Sequence, residues 1–330
     1  KPDIDGESRD TPSNRQARGE ILINLPKRGG VTAKLGSPRL PRVKTISFLA
    51  KLSIAGSLFA PSAFSQQEQY PVHPDSKKQT GVPSGKVTQA KFANSTVYPG
   101  TDRDYWIYVP AQYKPGQAAS LMVFQDGKAY VNSATFNALD NLIHQGDIPV
   151  MIGVFVNPGV VPPQNENAQA RFNRSLEYDD MSDRYSQFLI DELLPHIERA
   201  HGVTFSTDPN LRGITGASSG AICAFNVAWH RPDSFRRVYS TIGTYVGLRG
   251  GDEIPTHIRK TEPKPLRIFL QDGENDLNIY GGDWWIANQM MQRAFKFSGY
   301  ELKHEWGKGR HSRKHGNAIF PDAMRWLWHS

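Results

Sequence analysis

From residue 104 onwards the sequence alternates between strand-like and helix-like segments, and this alternation limits the possible folds more than any other feature. The clearest strand is the continuous apolar run VMIGVFV at 150–156, which is typical of a strand buried on both faces. Further strands are predicted at 104–109, 121–124, 211–215, 238–242, 266–270 and 301–306. Helices are predicted from Met181 up to Pro195 and at 221–229, 284–297 and 322–328. The pattern predicts the α/β class, with a parallel or mixed sheet covered by helices on both faces.

Length and charge narrow the possible functions. The 330 residues, 38% of them hydrophobic, are enough for one sizeable α/β domain or two small ones. A net charge of +7 would suit a partner such as nucleic acid or an anionic membrane. However, residues 1–65 hold 11 Lys and Arg against 5 Asp and Glu, whereas residues 66–330 hold 28 against 27. The basic character belongs to the N-terminal segment, so no nucleic-acid partner is expected.

The N-terminal segment has the layout of an export signal. A basic start precedes an apolar stretch and the small–x–small triplet AFS at 63–65, as in a secretory signal peptide. Lys51 interrupts the apolar stretch, so stable membrane insertion is not expected. An amphipathic core helix is the alternative. The predicted location is periplasmic or extracellular, in a bacterium. The predicted divisions are a disordered extension (1–43), a signal peptide (44–65), a linker (66–86) and a folded domain (87–330).

A candidate nucleophile follows the strand predicted at 211–215. The residues from Gly216 to Gly220 match G-x-S-x-G, which is a weak signal alone but a stronger one between a strand and an apolar helix. A sharp turn from strand to helix needs glycine on either side and exposes the central serine above the sheet. Ser218 is therefore the candidate nucleophile, and the alternative is an ordinary serine in a Gly-rich loop. The single cysteine, Cys223, lies within the predicted helix and is interpreted as a core residue.

A serine nucleophile needs a base, and the base needs an acid that orients it. In folds with this kind of turn, both follow later strands, in the order serine, acid, histidine. The strand at 266–270 is followed by an acidic loop in which Asp276 is the first candidate acid, with Asp272 and Glu274 as alternatives. The strand at 301–306 is followed by a Gly-rich loop in which His311 is the candidate base and His315 the alternative.

The same two loops contain incomplete metal-binding patterns. The acidic loop begins like a calcium-binding loop, but Leu277 stands where the turn glycine is required. His311 and His315 lack the adjacent glutamate of a zinc protease motif. We therefore expect neither a metal nor a cofactor.

Five stretches between residues 124 and 328 resemble a known family. They are FQDGKAY (124–130), RSLEYDDMSDRYSQFLIDELLP (174–195), GITGASSGAICAFNVAWHRPDSF (213–235), LRIFLQDGENDL (266–277) and WGKGRHSRKHGNAIFPDAMRWLW (306–328). They are similar to the esterase D and enterochelin esterase-like family of α/β-hydrolases, in its secreted branch. Feruloyl esterases and mycolyltransferases belong to the same family.

The resemblance implies an α/β-hydrolase fold, with a mostly parallel central sheet, for a single catalytic domain at 87–330. It implies a catalytic triad of Ser218, Asp276 and His311. It also implies an oxyanion hole made by the backbone N–H of Ser219 together with that of Gly127 or Lys128.

These features predict a secreted serine esterase that forms an acyl-enzyme and releases it with water. The expected substrate is a feruloyl or acetyl ester of a polysaccharide, or a catecholate siderophore trilactone. The alternatives are an acyltransferase and a non-catalytic carbohydrate- or ligand-binding protein on a hydrolase scaffold. The oligomeric state is not predicted.

Five residues are candidate substrate contacts. Trp284 and Trp285 can stack on an aromatic or sugar ring, or they can begin a helix and pack in the core. Arg174 and Glu177 lie in a segment, 157–180, that is long enough to be a binding loop or a partial lid; the alternative is a solvated charge cluster. Arg310 stands where the family often has glycine, which implies a narrower pocket mouth.

Overall fold

The structure is a computed structural model and describes residues 69–329. The predicted extension (1–43) and signal peptide (44–65) lie outside these residues. The strands are β1 (Lys86–Phe92), β2 (Arg103–Val109), β3 (Ser120–Gln125), β4 (Met151–Val156), β5 (Val160–Val161), β6 (Arg171–Phe172), β7 (Arg212–Ala217), β8 (Arg237–Thr241), β9 (Arg267–Gly273), β10 (Asn278–Ile279), β11 (Gly282–Asp283) and β12 (Glu301–Gly307). The helices are α1 (Ser133–Gln145), α2 (Arg174–Tyr178), α3 (Arg184–Gln187), α4 (Leu194–His201), α5 (Ser219–His230), α6 (Ile254–Lys260), α7 (Trp284–Phe297), α8 (Lys314–Ala318) and α9 (Phe320–Trp328).

Eight of the strands form one sheet in the order β1-β2-β4-β3-β7-β8-β9-β12. β1 and β2 are antiparallel to the strands beside them, and every pair from β4 to β12 is parallel. The pairs β5–β6 and β10–β11 form separate small hairpins. The parallel strands bring their carboxyl ends to one edge of the sheet, where open α/β sheets bind ligands. The predicted fold class, a mostly parallel sheet with helices on both faces, is confirmed.

The core lies on both faces of the sheet. Along β3, Val123 belongs to one hydrophobic cluster, whereas Met122 and Phe124 belong to the other, because successive side chains of a strand point to opposite faces. The first cluster includes side chains of α4 to α7, and the second includes side chains of α1 and α9. Every residue of β3 and β4 is buried, as the apolar run at 150–156 predicts.

Residues 69–85 pack against the domain, although the sequence predicts a linker at 66–86. Asn141 of α1 donates hydrogen bonds to the carbonyl oxygens of Asp75 and Lys77, at 2.7 and 2.8 Å. Arg325 of α9 pairs with the carboxylate of Asp75 at 2.7 Å. The linker prediction is therefore corrected for these residues. Polar side chains hold this segment, so it has no apolar periodicity to reveal it.

The sequence patterns predict neither β1 nor α1, because polar residues also obscure the apolar periodicity of these two elements. β1 is a half-exposed edge strand rich in Lys, Thr and Gln. α1 buries three polar residues, Thr135, Asp140 and Asn141, and the last two interrupt its apolar stripe. Asp140 accepts hydrogen bonds from the Tyr108 hydroxyl at 2.6 Å and from the Gly85 N–H at 2.8 Å.

The helix expected to end at Pro195 continues to His201. Between α3 and α4, Phe188–Leu193 forms a π-helical turn, and the Leu194 N–H bonds to the carbonyl of Leu189. Pro195 is the second residue of α4 and directly follows this π-helical turn, where the hydrogen-bond pattern of the helix changes. The chain passes the proline without a break.

Candidate active site

Ser218 stands alone between β7 and α5, in a strained backbone conformation with φ 61° and ψ −126°. A methyl group on Gly216 would overlap the backbone of Gly220, so the turn requires glycine where the two segments cross. A methyl group on Gly220 would lie 3.1 Å from Asp126 Oδ2, in the loop after β3. The G-x-S-x-G pattern thus reflects close packing on both sides of the serine, against backbone at Gly216 and against side chains at Gly220.

The loops after β9 and β12 bring an acid and a base to this serine. Ser218 Oγ lies 2.9 Å from His311 Nε2, and His311 Nδ1 lies 2.6 Å from Asp276 Oδ1. The Asp276 side chain is fully buried, whereas 21% of the His311 side chain is exposed. The three side chains come from three carboxyl ends of the parallel sheet, so they meet although 58 and 35 residues separate them along the chain.

The charge state of Asp276 suits a hydrogen bond from imidazole. Burial by itself would raise the pKa of Asp276, but the hydrogen bonds to His311 and Asp272 outweigh burial and hold that pKa below its ordinary value. Asp276 is therefore a carboxylate, and a carboxylate can only accept hydrogen bonds. It follows that Nδ1 of His311 carries the proton and that Nε2 is free to accept one from Ser218.

Thr244, which the sequence did not indicate, and Trp284, which was predicted as a substrate contact, complete this arrangement. Thr244 Oγ1 lies 3.1 Å from Ser218 Oγ and accepts a hydrogen bond from the indole N–H of Trp284 at 3.2 Å. The Trp284 ring also packs edge-on to the His311 ring, with 5.9 Å between ring centroids. Thr244 follows β8 in a segment without a recognisable motif, so no sequence signal could have found it.

A cavity of about 450 Å³ opens above Ser218 and His311. Within the described range, the non-glycine residues with positive φ are Asp126, Ser218 and Ile242, and all three line this cavity. Strained backbone of this kind is concentrated at functional sites. A larger cavity, of about 880 Å³, lies beside Arg237, the first residue of β8, and is not lined by Ser218 or His311. The smaller cavity is therefore the candidate site.

The predicted oxyanion donors lie in two different settings. Ser219 begins α5, so its N–H has no carbonyl partner within the helix. The Lys128 N–H donates to Asn157 Oδ1 at 3.0 Å. Gly127 lies so close to β4 that a methyl group on it would overlap the backbone of Phe155 and Val156.

Of the predicted substrate contacts, Arg174 lines the cavity, whereas the others do not. Arg174 lines the cavity and makes two hydrogen bonds to Asp126, at 2.8 and 2.7 Å. Trp284 is buried beneath His311, and Trp285 packs edge-on against Trp306 of β12. Arg310 is exposed and does not line the cavity.

Glu177 is corrected as a substrate contact because its side chain is fully buried. Its carboxylate accepts two hydrogen bonds from Arg103, at 2.7 and 3.1 Å, and further ones from the Gly159 N–H. The guanidinium of Arg103 also lies 3.9 Å from the centre of the Phe188 ring. This buried ion pair leaves no surface of Glu177 for a ligand.

Three of the alternative candidates, Glu274, His315 and Cys223, take no part in the hydrogen-bonded chain from Ser218 to Asp276. Glu274 is exposed, and His315 stacks on Tyr70 while its Nδ1 lies 3.1 Å from Gln271 Nε2. Cys223 is buried, and burial raises the pKa of its thiol. Within residues 69–329, no three His, Cys, Asp or Glu side chains are grouped so that they could hold a metal ion. In the same range, no helix is long and apolar enough to span a membrane.

The order of this sheet and the serine at the strained turn after β7 define an α/β-hydrolase. A family model described as "Putative esterase" matches residues 96–327. The chain belongs to this esterase family.

Known proteins share the fold at low sequence identity. An iron(III) enterobactin esterase of Dickeya dadantii (strain 3937) is 23% identical over 243 residues, which cover 68% of this chain and 51% of that protein. The chain thus spans about half the length of that relative. The crystal structure of a ferric enterobactin esterase from Salmonella typhimurium superposes with a TM-score of 0.62 at 20% identity, covering 78% of this chain and 62% of the other.

A second structural relative is named for a different ester substrate. A CE1 ferulic acid esterase from Anaeromyces mucronatus, in complex with ferulic acid, superposes with a TM-score of 0.59 at 18% identity. The match covers 76% of this chain and 93% of that one. At these identities, both structural matches show a shared fold.

Proposed function

We propose that this protein hydrolyses carboxylic esters with Ser218 as nucleophile, His311 as general base and Asp276 as the acid that orients the imidazole. The observation that carries the proposal is the continuous hydrogen-bonded chain from Ser218 through His311 to Asp276. His311 takes the serine proton as Oγ attacks the ester carbonyl, and it passes that proton to the departing alcohol. Water then attacks the acyl-enzyme, with His311 again as base, which frees the acid and restores Ser218.

The proposed oxyanion hole uses the N–H groups of Ser219 and Gly127. The Ser219 N–H lies at the N-terminus of α5, where the helix dipole favours negative charge. A substrate oxygen would have to share the Lys128 N–H with Asn157, whereas the Gly127 N–H faces no such competition from Asn157. Loss of one such donor typically slows acyl transfer by about 10²–10³-fold.

The charge of the cavity favours a negatively charged ester. Arg174, Arg313 and Lys314 line it, and the carboxylate among the lining residues, Asp126, is already paired with Arg174. In the part of the chain that the structure describes, Arg313 and Lys314 make no ion pair with a carboxylate. Of the two expected substrate classes, the iron(III) complex of a catecholate trilactone is anionic, whereas feruloyl and acetyl esters are neutral. We therefore favour the catecholate trilactone, which also agrees with the enterobactin esterases among the relatives.

The substrate proposal is tested by comparing kcat/KM for iron(III)-loaded enterobactin, methyl ferulate, acetylated xylan and p-nitrophenyl acetate. The double variant R313Q/K314Q should lose about tenfold or more in kcat/KM for the iron(III) complex, and clearly less for the neutral esters. Salt should weaken the wild-type preference, because screening acts on the charged ester. The matched control is R310Q, which removes an exposed cation outside the cavity. Equal losses for charged and neutral esters would contradict the proposal.

The proposed chemistry is tested at Ser218 itself. The variant S218A should lose ester hydrolysis by several orders of magnitude, and a fluorophosphonate should label the wild type but not S218A. Failure to label the wild type would instead favour a binding protein on a hydrolase scaffold. Transfer of the acyl group to an added alcohol in place of water would favour an acyltransferase.

We also propose that the protein is exported. The pattern at 44–65 supports this proposal. N-terminal sequencing of the protein from the periplasm or the medium should find a chain that begins at Gln66. Recovery of the protein with residues 44–65 intact in the cytoplasm would contradict the proposal.

A further inference from the structure

Two aspartates meet behind the imidazole of His311. Asp272 belongs to β9, and Asp276 follows the end of that strand by three residues. Each has one satisfied carboxyl oxygen: Asp272 Oδ1 accepts from the Gly273 N–H at 2.8 Å, and Asp276 Oδ1 accepts from His311 and from the Leu277 N–H. The other oxygen of each, Oδ2, is buried without a donor among residues 69–329.

The two carboxyl groups lie within hydrogen-bonding reach of each other. Two carboxylates cannot bond to each other, because both can only accept hydrogen bonds, and their like charges repel. A single proton on one of them removes both difficulties. It also gives the two orphaned Oδ2 atoms a partner, since one becomes an O–H donor and the other its acceptor.

The surroundings decide which aspartate holds the proton. Asp272 faces neutral groups, which are the Asn288 amide of α7 and Trp306, beside it in the register of β12. Its charged neighbour is Asp276, and His311 contacts Asp276 rather than Asp272. Burial, followed by the hydrogen bond to Asp276, raises the pKa of Asp272 to about 9. The contact with His311 keeps the pKa of Asp276 low.

We propose that Asp272 is a positioning residue of the active site, a neutral carboxylic acid whose O–H donates to Asp276 Oδ2 and so fixes that carboxylate toward His311. This inference rests on the proposed roles of Asp276 and His311. The O–H holds the Asp276 side chain from the side opposite the imidazole, so both carboxylate oxygens have defined partners. It also draws charge away from Asp276, which weakens any transfer of the His311 proton to it.

The inference predicts a particular pH profile. When Asp272 ionises, its O–H donor is lost and a second negative charge appears beside Asp276. Wild-type kcat/KM should therefore fall as the pH rises through about 9. In D272N the amide N–H replaces the O–H and does not ionise. Near neutral pH, the kcat/KM of that variant should stay within about threefold of wild type. Its pH profile should lack the descending limb, which is the fall in kcat/KM at high pH.

Removal of the donor should have a different effect. D272A should lose about tenfold or more in kcat with little change in KM, because a hydrogen bond to a charged group is lost without a change in the cavity. The control is E274Q, an exposed residue of the same loop, which should keep both the rate and the descending limb. Circular dichroism of each variant would show whether it is folded.

A spectroscopic measurement separates this inference from the proposed function. At neutral pH the infrared spectrum of S218A should contain the carbonyl band of a protonated carboxylic acid, and the double variant S218A/D272N should lack it. Absence of that band, a descending limb retained in D272N, or equal activities of D272A and D272N would each overturn the inference. Full ester hydrolysis by S218A would overturn the proposed function and leave the band unchanged.

Discussion

At the scale of single residues, Ser218 lies in a chain of hydrogen bonds that all point the same way. The indole N–H of Trp284 donates to Thr244, Thr244 to Ser218, Ser218 to His311, and His311 to Asp276. An indole can only donate and a carboxylate can only accept, so the two ends determine the direction of the whole chain. The serine proton therefore points at Nε2 of His311, the proposed base.

Substitution of Thr244 tests this direction. T244V keeps the shape of the side chain but removes the hydroxyl, which leaves Ser218 Oγ without the donor that helps to orient it and the Trp284 N–H without its acceptor. We expect kcat to fall by about tenfold, the equivalent of one lost hydrogen bond, with a smaller change in KM. T244S keeps a hydroxyl and should restore most of the rate. Equal rates for the valine and serine variants would show that the hydroxyl has no such role.

The raised pKa of Asp272 also makes the stability of the fold depend on pH. With a folded pKa of about 9 and an ordinary value of 3.8, the folded chain holds a proton between these values that the unfolded chain has lost. This group's contribution is therefore fully present below about pH 4 and is lost as the pH rises toward 9, by at most about 1.4 kcal/mol per pH unit. D272N should become more stable relative to wild type between pH 5 and pH 8, as measured by urea unfolding. A difference that stays constant with pH would contradict a buried, protonated Asp272.

At the scale of elements, the segment from 157 to 180 is tied to the sheet by two arginine–carboxylate pairs. It folds into the β5–β6 hairpin and α2. Glu177 of α2 reaches Arg103 of β2 in the core, and Arg174 reaches Asp126 at the cavity. The buried pair thus positions the helix that carries Arg174 to the cavity.

Glu177 should be important for stability rather than for binding. E177Q would leave the Arg103 charge buried without a counter-charge, and loss of one partner of a buried pair costs about 3–5 kcal/mol. The control is D233N, which breaks the pair with Arg231 at a largely exposed carboxylate and should cost about 0–1 kcal/mol. Chemical denaturation of both variants provides the comparison. A cost for E177Q no larger than that of the control would contradict this role.

At the scale of the whole molecule, the sequence after residue 65 is nearly neutral, but its charges are unevenly placed in the fold. Residues 66–330 hold 28 basic and 27 acidic side chains, yet three cations and one carboxylate line the active-site cavity. Because Asp126 is paired with Arg174, the cavity has an excess of positive charge, and such an excess concentrates ligands of the opposite sign. The net charge of the chain therefore says little about the substrate, whereas its placement in the fold favours an anionic one.

The segment before β1 belongs to the same folded unit. Asn141 holds it through two carbonyl oxygens, and its Tyr70 stacks on His315, four residues after His311, the proposed base. N141A should cost about 1–3 kcal/mol of unfolding free energy, because it removes one buried and one partly buried hydrogen bond. N137A removes one longer bond from the same helix and should cost less. Thermal unfolding of the two variants would test this order, and the reverse order would contradict it.

Particular residues show where prediction from sequence succeeded. The strand at 150–156 can be predicted from the sequence because a strand that is buried on both faces has an unbroken apolar run. The meeting of Ser218, Asp276 and His311 follows from their places after three parallel strands, together with the family resemblance. By contrast, β1, α1 and the segment 69–85 depend on polar contacts between distant residues, which leave no periodic pattern.

The sequence by itself determined the α/β class, the strained serine turn and the carboxyl-end loops that carry the acid and the base, because each depends on local backbone chemistry or on strand order. Only the tertiary structure decided that Glu177 is a buried partner of Arg103. It also showed that Thr244 lies within hydrogen-bonding distance of Ser218 and accepts from Trp284. The contact between Asp272 and Asp276 likewise appears only in the folded chain. These roles depend on which groups meet across the fold and on how completely water is excluded from them. Burial and distance between residues far apart in the chain arise only when the chain is folded.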